Sequence, residues 1–309
     1  MKIKLGIALP QIGKWASPRA IVQVAQGAEN MGLDSLWVLD RALLPVRPSD
    51  PWPASSSRAA WPEAYGVTFD PIETLTLAAA KTEKIRIGTA IVDALYTPPI
   101  ILGRRFSTLD VISGGRVTAG LSQGWSRDEF AAMSIPLSRR GRGFEEYVGA
   151  LRAVWGPDPV SFSGRFYSIP ESRIGPKPIQ QGGPPILLGG NSPAAFERAG
   201  RIADGLVVGG ASIPSWEKFR EIIDRFRTSA SASGRNSSGL EIVSSVNRAI
   251  SGSRLAEPRQ PLSGDIEQMA EDLSIASSIG VGHVFINMNF AQVPVDTQLT
   301  LVRELMDNI

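Results

Sequence analysis

Residues 184–200, "PPILLGGNSPAAFERAG", contain one complete unit of the predicted fold. Residues 186–188 are apolar and predict a short buried strand, which a glycine pair ends. Asn191 and Ser192 then supply polar cap chemistry, and a proline begins the helix that follows. Bare backbone beside a helix N-terminus lets a small anion approach the peptide N–H groups, although the same residues are also ordinary turn and cap residues. The stretch therefore predicts a strand–turn–helix unit and leaves open whether a ligand binds at its turn.

The alternation of strand and helix extends from this unit in both directions along the chain. Eight short strands are predicted, and each is followed by a helix, the last of which covers residues 296–308. Strands that are apolar on both faces are typical of parallel strands covered by helices. Eight such units in a chain of this length predict an α/β fold, a (β/α)8 TIM barrel forming a single domain over residues 1–309. The predicted strands are residues 3–9, 35–40, 85–91, 116–122, 184–190, 205–210, 240–250 and 283–288.

Two irregular stretches interrupt the alternation and predict insertions in the barrel. Residues 44–65, after the second strand, are rich in Pro and Ser, and residues 156–178, before the fifth strand, contain a predicted β-hairpin, "VSFSGRFYSI". Both lie where they can form walls or lids of a site. An open doubly wound sheet is disfavoured because "LPQIGKW", after the first strand, lacks the glycine-rich dinucleotide fingerprint.

Composition excludes several kinds of protein and site. There is no cysteine and a single histidine, His283, so thiolate chemistry, disulfides and multi-histidine metal sites are excluded. The formal net charge of +2 comes without blocks of like charge, and charges interrupt every apolar run, so we expect no nucleic-acid or membrane partner. The N-terminus lacks a signal-peptide cleavage pattern, which predicts a cytoplasmic protein. His283 precedes its predicted strand, so we expect a structural role at the bottom of the barrel.

A site in such a barrel lies at the carboxyl ends of the strands. Asp40 stands at one of these ends as a base or cofactor contact, with a salt bridge to Arg41 or a helix cap as the structural alternative. The strand ends as a group are polar but poor in acid–base residues, which suits a cofactor that carries the chemistry itself. The residues selected in this way are 9–11, 40–41, 89–93, 122–125, 189–192, 209–210, 247–248 and 287–289.

Several longer motifs resemble the bacterial luciferase-like monooxygenase superfamily, and more closely its actinobacterial branch that uses the deazaflavin coenzyme F420. The resemblance covers nearly the whole chain and is more specific for the superfamily than for the deazaflavin over FMN. The motifs are "GLDSLWVLDR", "FDPIETLTLAAAKTEKIRIGTAIVDALYTPPIILGRRFSTLDVISGGRVTAGLSQGW", "DEFAAMSIPLSRRGRGFEEY", "GRFYSIPESRIGPKPIQ" and "PPILLGGNSPAAFERAGRIADG".

The resemblance implies an oxidoreductase that transfers a hydride between coenzyme F420 and an unidentified organic substrate. It implies a tricyclic ring over the strand ends, a non-proline cis peptide at Ala90-Ile91 beneath it, and a phosphate-binding segment at residues 189–192. The catalytic candidates are Asp40 and Arg41, and no metal ligand is predicted. We expect a small-molecule substrate and a homo-oligomer, specifically a dimer. The predicted cofactor-binding residues are Asp40, Thr89, Ala90, Ile91, Gln123, Gly124, Trp125, Gly189, Gly190, Asn191 and Ser192.

Two departures from the family pattern affect the predicted chemistry. The family often has Asp-His after the second strand, where this chain has Asp40-Arg41, so a fixed cation replaces a proton relay. At Gln123, flavin-dependent relatives often carry an arginine directed at the FMN phosphate, and its replacement favours the deazaflavin. An FMN-dependent monooxygenase and a flavin-binding barrel without catalytic activity are the alternatives.

Overall fold

The computed structural model describes residues 3–52, 61–209 and 213–309. Nine of its strands form one parallel sheet, and two more form a separate hairpin. The sheet strands are β1 (Lys4–Ala8), β2 (Ser35–Val38), β3 (Arg86–Thr89), β4 (Val92–Asp93), β5 (Val117–Ser122), β8 (Ile186–Gly189), β9 (Gly205–Gly209), β10 (Glu241–Val246) and β11 (His283–Ile286). The hairpin strands are β6 (Val160–Ser163) and β7 (Ser168–Ser172), which pair antiparallel as predicted.

The sheet closes into a barrel, which confirms the predicted fold. Its strand order is β3-β2-β1-β11-β10-β9-β8-β5-β4, and β3 also pairs with β5. The closing seam begins at Ile87 opposite Val117 and resumes at Val92 opposite Leu121. The strands β3 and β4 therefore occupy one barrel position, on either side of a break at residues 90–91, and the barrel has eight positions.

Helices cover the outside of the barrel, and several begin at the residues that the sequence predicts. Ser17 accepts a hydrogen bond from the backbone of Ala20 at the start of the first helix, and Gly32 ends it in the left-handed conformation. Ser192 caps the helix that follows β8 in the same way. The helices are α1 (Pro18–Met31), α2 (Pro71–Ala79), α3 (Pro99–Ser113), α4 (Arg127–Ala132), α5 (Arg142–Trp155), α6 (Pro193–Ile202), α7 (Trp216–Ala232), α8 (Ile266–Ser278) and α9 (Val295–Asp307). Within the described ranges, no helix has the length and apolar character to cross a membrane.

The predicted strand over residues 85–91 ends at Thr89 and is followed by the separate strand β4, and two further elements differ from the prediction. The short helix α4 was not predicted, although Ser126 caps it by accepting from the backbone N–H of Glu129. The predicted strand over residues 240–250 ends at Val246, whose carbonyl accepts the N–H of Asn287 at 2.8 Å. The chain turns away from the barrel after that bond, so the following residues lie at the carboxyl face rather than in the sheet.

The barrel interior is filled by its own small apolar cluster. Trp37 lies stacked on Phe285, with ring centroids 5.1 Å apart. Beneath it, His283 is buried at the first residue of β11, and its Nε2 lies 2.6 Å from Oγ of Ser35. This position confirms that His283 lies at the bottom of the barrel, away from the carboxyl ends of the strands. The interior cluster consists of Ala8, Trp37, Ala90, Leu187, Val207, Val243 and Phe285, with Ile91 packed against it.

Candidate active site

The break between β3 and β4 forms the apolar floor of the barrel mouth. The peptide bond Ala90-Ile91 is cis, which confirms this prediction from the family resemblance. Ala90 is buried, its N–H donates to the carbonyl of Val38 at 2.7 Å, and Ile91 is only partly buried. The two side chains belong to the interior cluster, so they continue its apolar surface up to the carboxyl face.

Thr89, a predicted cofactor contact, has its side chain in the barrel wall. Its Oγ1 donates to the carbonyl of Gly120 at 2.7 Å and accepts the N–H of the same residue at 2.9 Å. The side chain is fully buried. These two hydrogen bonds link β3 to β5 at the point where the backbone pairing between the two strands is interrupted.

Asp40 lies at the carboxyl end of β2 with its side chain partly buried. Its Oδ2 accepts the backbone N–H of Asp93 at 3.1 Å. Burial and, secondly, the negative charge of Asp93 raise the pKa of Asp40 to about 7. Among the described residues no cation forms an ion pair with Asp40, so the salt bridge to Arg41 considered from the sequence is not formed. Asp40 is therefore a carboxyl group that exchanges a proton near neutral pH.

Arg41 is buried in an ion-pair network rather than presented at the barrel mouth. Its guanidinium lies 2.8 Å from the carboxylate of Asp93 and 2.7 Å from that of Glu129. Its side chain is 3% exposed, too little for broad contact with a ligand. Burial lowers the pKa of Arg41, but the two carboxylates more than offset this effect and raise it above the ordinary value. The geometry favours a positioning role for Arg41 over direct contact with a ligand.

The two carboxylates that hold Arg41 come from different strand ends. Asp93, in β4, also accepts the hydroxyl of Ser122 at the end of β5. Glu129, in α4, accepts the backbone N–H of Ala42 at 2.9 Å and the hydroxyl of Tyr96 at 3.2 Å. Burial raises the pKa of Glu129, and Arg41 offsets part of that rise. The network therefore fixes the segments that follow β2, β4 and β5 relative to one another.

Aromatic rings surround the guanidinium of Arg41 and form one wall of the mouth. Its Cζ lies 5.4 Å from the Trp61 ring, 5.7 Å from the Tyr65 ring and 5.2 Å from the Trp125 ring. Trp52 packs against Trp61 and Trp125 at centroid distances of 6.1 Å and 5.9 Å. Trp61 and Tyr65 are buried, whereas Trp52 and Trp125 keep partly exposed faces. We call these four rings the aromatic wall.

The insertion after β2 is attached to α4 outside the aromatic wall. The backbone N–H and hydroxyl of Ser49 donate to Asp128 at 2.8 Å and 2.6 Å. Arg127 donates to the Asp50 carboxylate from its backbone at 2.7 Å and from its side chain at 2.9 Å. The described parts of the insertion thus pack as a wall. Residues 53–60 of this predicted lid, and residue 210 among the predicted strand ends, lie outside the described residues.

The sequence family of luciferase-like monooxygenases matches residues 4–257, most of the barrel just described. The chain belongs to this family. The matched range includes every predicted site residue, from Asp40 to Ser192, and also both carboxylates that hold Arg41.

Curated relatives of this luciferase-like protein differ in the cofactor that their names state. An uncharacterized protein of Mycobacterium tuberculosis is 31% identical over 62% of this chain and 69% of its own. An FMNH2-dependent dimethylsulfone monooxygenase of Pseudomonas putida is 34% identical over 50% of this chain and 42% of its own. An F420-dependent glucose-6-phosphate dehydrogenase of Amycolatopsis mediterranei is 28% identical over 62% of this chain and 53% of its own. The named luciferase-like relatives are oxidoreductases of two cofactor types.

Solved structures of similar shape support the barrel fold of the family. A monooxygenase from Streptomyces bottropensis superposes with a TM-score of 0.79 at 22% identity, covering 99% of this chain and 98% of its own. An F420-dependent secondary alcohol dehydrogenase, solved with an F420–acetone adduct, gives a TM-score of 0.79 at 18% identity, covering 100% and 99% of the two chains. Identities this low compare the fold alone.

The predicted phosphate segment of the luciferase-like chain, residues 189–192, contains two glycines that are packed against other residues and two polar residues that are exposed. A Cβ added to Gly189 would lie 2.5 Å from Cδ1 of Ile91, and one added to Gly190 would lie 2.5 Å from Cβ of Ala195. Both glycines are therefore required by the protein's own packing. Asn191 and Ser192, in contrast, are exposed at the start of α6. Ligand contact at this turn stays a prediction, and the exposed pair is the part that a ligand can reach.

The remaining predicted cofactor residues of the luciferase-like chain lie after β5. Gln123 accepts the backbone N–H of Gly141 at 2.8 Å through Oε1, which holds the start of α5. Gly124 has φ of +74°, and a Cβ there would lie 2.6 Å from Oη of Tyr96. Trp125 then enters the aromatic wall. Of the three, Trp125 presents a partly exposed ring, while contacts of Gln123 and Gly124 with a cofactor stay predictions.

Sequence reasoning missed the carboxylate of Glu129 and gave no role to the amide residues on the opposite side of the mouth. The "SRDE" sequence of residues 126–129 is a capping-box pattern and could have revealed both α4 and this glutamate. Across the barrel, Nδ2 of Asn287 donates to Asn247 at 2.8 Å, and Nδ2 of Asn289 donates to the carbonyl of Leu9 at 2.9 Å. These neutral amides belong to strand ends that the sequence selected without assigning a role.

Proposed function

We propose that this luciferase-like protein is an oxidoreductase that transfers a hydride between coenzyme F420 and a small organic substrate. The observation that carries the proposal is the pairing of an apolar floor at Ala90 and Ile91 with Asp40, a carboxyl group whose pKa is raised to about 7, at the end of the adjacent strand. The sole histidine lies at the bottom of the barrel. A mouth with so few acid–base groups suits a bound cofactor that carries the redox chemistry.

The residues at the barrel mouth fit such a cofactor by their chemistry. The apolar side chains of Ala90 and Ile91 suit the face of a planar ring, and the exposed polar residues Asn191 and Ser192 suit its phosphate-bearing chain. When bound, the deazaflavin would supply or accept the hydride. The partly exposed faces of Trp52 and Trp125 would limit the entry of water and pack against apolar parts of the substrate.

Asp40 manages the proton in this proposal. When a hydride leaves a carbon that bears a hydroxyl, the hydroxyl proton must also leave, and the reverse reaction returns both. A carboxyl group with a pKa of about 7 accepts and releases that proton near neutral pH. The Asp93 N–H fixes one carboxyl oxygen of Asp40, which leaves the other for the substrate. Arg41 acts as a positioning residue, since it holds Asp93 from the other side.

Side-by-side titration of the purified protein with F420 and FMN, followed by absorbance, tests the cofactor. We expect F420 to bind at least tenfold more tightly, a difference of about 1.4 kcal/mol. FMN binding tighter by the same factor would instead favour an FMN-dependent monooxygenase, the candidate that the Pseudomonas putida relative supports. Steady turnover of reduced cofactor separates either enzyme from a barrel that only binds the ring.

An Ala90→Leu variant tests the position of the ring. Its larger side chain should cover the floor and weaken binding of the preferred cofactor by at least tenfold. Ala232→Leu, at the exposed end of α7, is the matched control and should bind normally. Unchanged affinity in a folded Ala90→Leu protein would place the ring elsewhere. The predicted dimer and cytoplasmic location are separate proposals, and the first is testable by light scattering.

A further inference from the structure

Arg248 lies at the carboxyl face of the barrel, immediately after β10. The last backbone bond of that strand joins the carbonyl of Val246 to the N–H of Asn287 at 2.8 Å. Residues 247 and 248 therefore leave the sheet at the same face as Asp40 and the segment at residues 189–192. Loops after the seventh and eighth strands of such barrels are frequent sites of phosphate binding, and β10 occupies the seventh position.

The guanidinium of Arg248 is a cation without an acidic partner. Its Nη2 donates to the amide oxygen of Gln260 at 2.8 Å, and it forms no ion pair with any described residue. The ranges 1–2, 53–60 and 210–212 contain no Asp or Glu, so the chain has no further acid that could serve.

Two neighbouring arginines of the same segment, unlike Arg248, have acidic partners. Arg254 lies 3.7 Å from Glu267 and 3.6 Å from Glu271, and Arg259 pairs with Asp272. Arg254 is exposed, with 55% of its side chain accessible, whereas Arg248 is partly buried. The more buried of these two cations is thus the one that lacks an acid, although burial makes a counter-charge more valuable.

The hydrogen bonds of Asn247, the residue before Arg248, are with neutral groups. Nδ2 of Asn247 donates to the Ser245 hydroxyl at 3.1 Å and its Oδ1 accepts from Asn287 at 2.8 Å. Burial lowers the pKa of Arg248, and no carboxylate counteracts it, but an arginine stays protonated at physiological pH. The positive charge at this edge of the mouth is therefore not neutralised by the protein.

We propose that Arg248 binds an anionic group, a phosphate or a carboxylate, of the molecule that enters the barrel mouth. This inference rests on the proposed function only for the identity of that molecule, which is either the substrate or the cofactor. The planar guanidinium offers paired N–H donors that match both oxyanions, and Gln260 holds one edge of it in place.

Titration of the protein with inorganic phosphate at constant ionic strength, followed by 31P NMR, tests the site. We expect saturable binding to the unmodified protein and at least a tenfold weaker affinity in Arg248→Met. Arg254→Met removes a cation of the same segment and should leave phosphate affinity unchanged. Arg248→Lys keeps the charge but loses the paired N–H donors, so we expect a loss of phosphate affinity of about threefold, smaller than that of Arg248→Met, which gives a second measurement if the methionine variant folds poorly.

The source of the anion is determined by titrating the same variants with F420. Weaker F420 binding in Arg248→Met, together with lost phosphate binding, assigns the anion to the cofactor. Normal F420 binding with lost phosphate binding assigns it to the substrate. Phosphate binding that is absent from the unmodified protein, or equal in Arg248→Met, overturns the proposal. Failure of F420 to bind any of these proteins would refute the proposed function while leaving the phosphate result intact.

Discussion

Replacing Arg41 with methionine should destabilise the barrel in a pH-dependent way. Methionine keeps an apolar stem against the aromatic wall but removes the charge that lies within 2.8 Å of both Asp93 and Glu129. Breaking a buried ion pair by removing one partner costs about 3–5 kcal/mol, because an uncompensated charge stays buried. We expect a loss of that order in the free energy of unfolding at pH 8.

The sign of the pH dependence follows from the carboxylates that remain. Arg41 offsets part of the rise that burial causes in the pKa of Glu129, so without Arg41 the folded-state pKa of Glu129 rises further while that of the unfolded chain stays near 4. A raised folded-state pKa gives stability that is present at low pH and lost as pH rises through it. The deficit of Arg41→Met should therefore be smaller at pH 5 than at pH 8, by about 1 kcal/mol or more for each unit of pKa shift.

Urea unfolding followed by far-UV circular dichroism at pH 5 and pH 8 measures both quantities. Arg254→Met is the control, since its partners are exposed and such pairs contribute about 0–1 kcal/mol. Adding Glu129→Gln to Arg41→Met should recover part of the loss, because it removes one buried charge. A loss below about 1 kcal/mol at pH 8, or an equal loss at both pH values, would refute the network. If Arg41→Met lowered cofactor affinity without the loss of stability or its pH dependence, the result would instead support direct contact between Arg41 and the ligand.

Two further predictions concern residues next to this network. Because the pKa of Asp40 is raised to about 7, the folded protein holds a proton between about pH 4 and pH 7 that the unfolded chain has released, so the unmodified protein loses stability as pH rises through this range. In Asp40→Asn this loss should be smaller by an amount on the order of 2 kcal/mol, and parallel pH profiles of urea midpoints for the two proteins would contradict this. Gly124→Ala should cost more stability than Gly114→Ala, although φ is similar at +74° and +70°, because a Cβ at Gly124 meets Oη of Tyr96 whereas one at Gly114 has nothing within 4 Å. Equal losses in thermal denaturation would show that the backbone conformation alone sets the cost.

The barrel was predictable because its signals are local and repeated. A cap such as Ser17 and a terminator such as Gly32 lie within one helix and its flanking turns, and the structure uses both as predicted. Each apolar strand carries its own signal, so errors in one unit do not propagate. The residues at the carboxyl ends of the strands could consequently be listed before any contact was known.

The contacts within the site were not predictable in the same way. Arg41 is separated along the chain from Asp93 and Glu129, and no sequence spacing announces that these three side chains meet. Thr89 could be placed at a strand end but not assigned to the seam, because its partner Gly120 lies on a strand that follows a whole helix. Such roles depend on how the barrel closes, which is a property of the complete fold.

The Arg41 network also limits how the mouth of this barrel can be recombined. Barrel enzymes are often treated as modular, with each strand-end loop exchangeable by itself. Here one buried cation pairs with one carboxylate from β4 and another from α4, so a chimera that replaces only the segment after β2 would leave Asp93 and Glu129 without their counter-charge. The segments at the carboxyl ends of β2, β4 and β5 must therefore be exchanged together, with all three taken from the same parent protein.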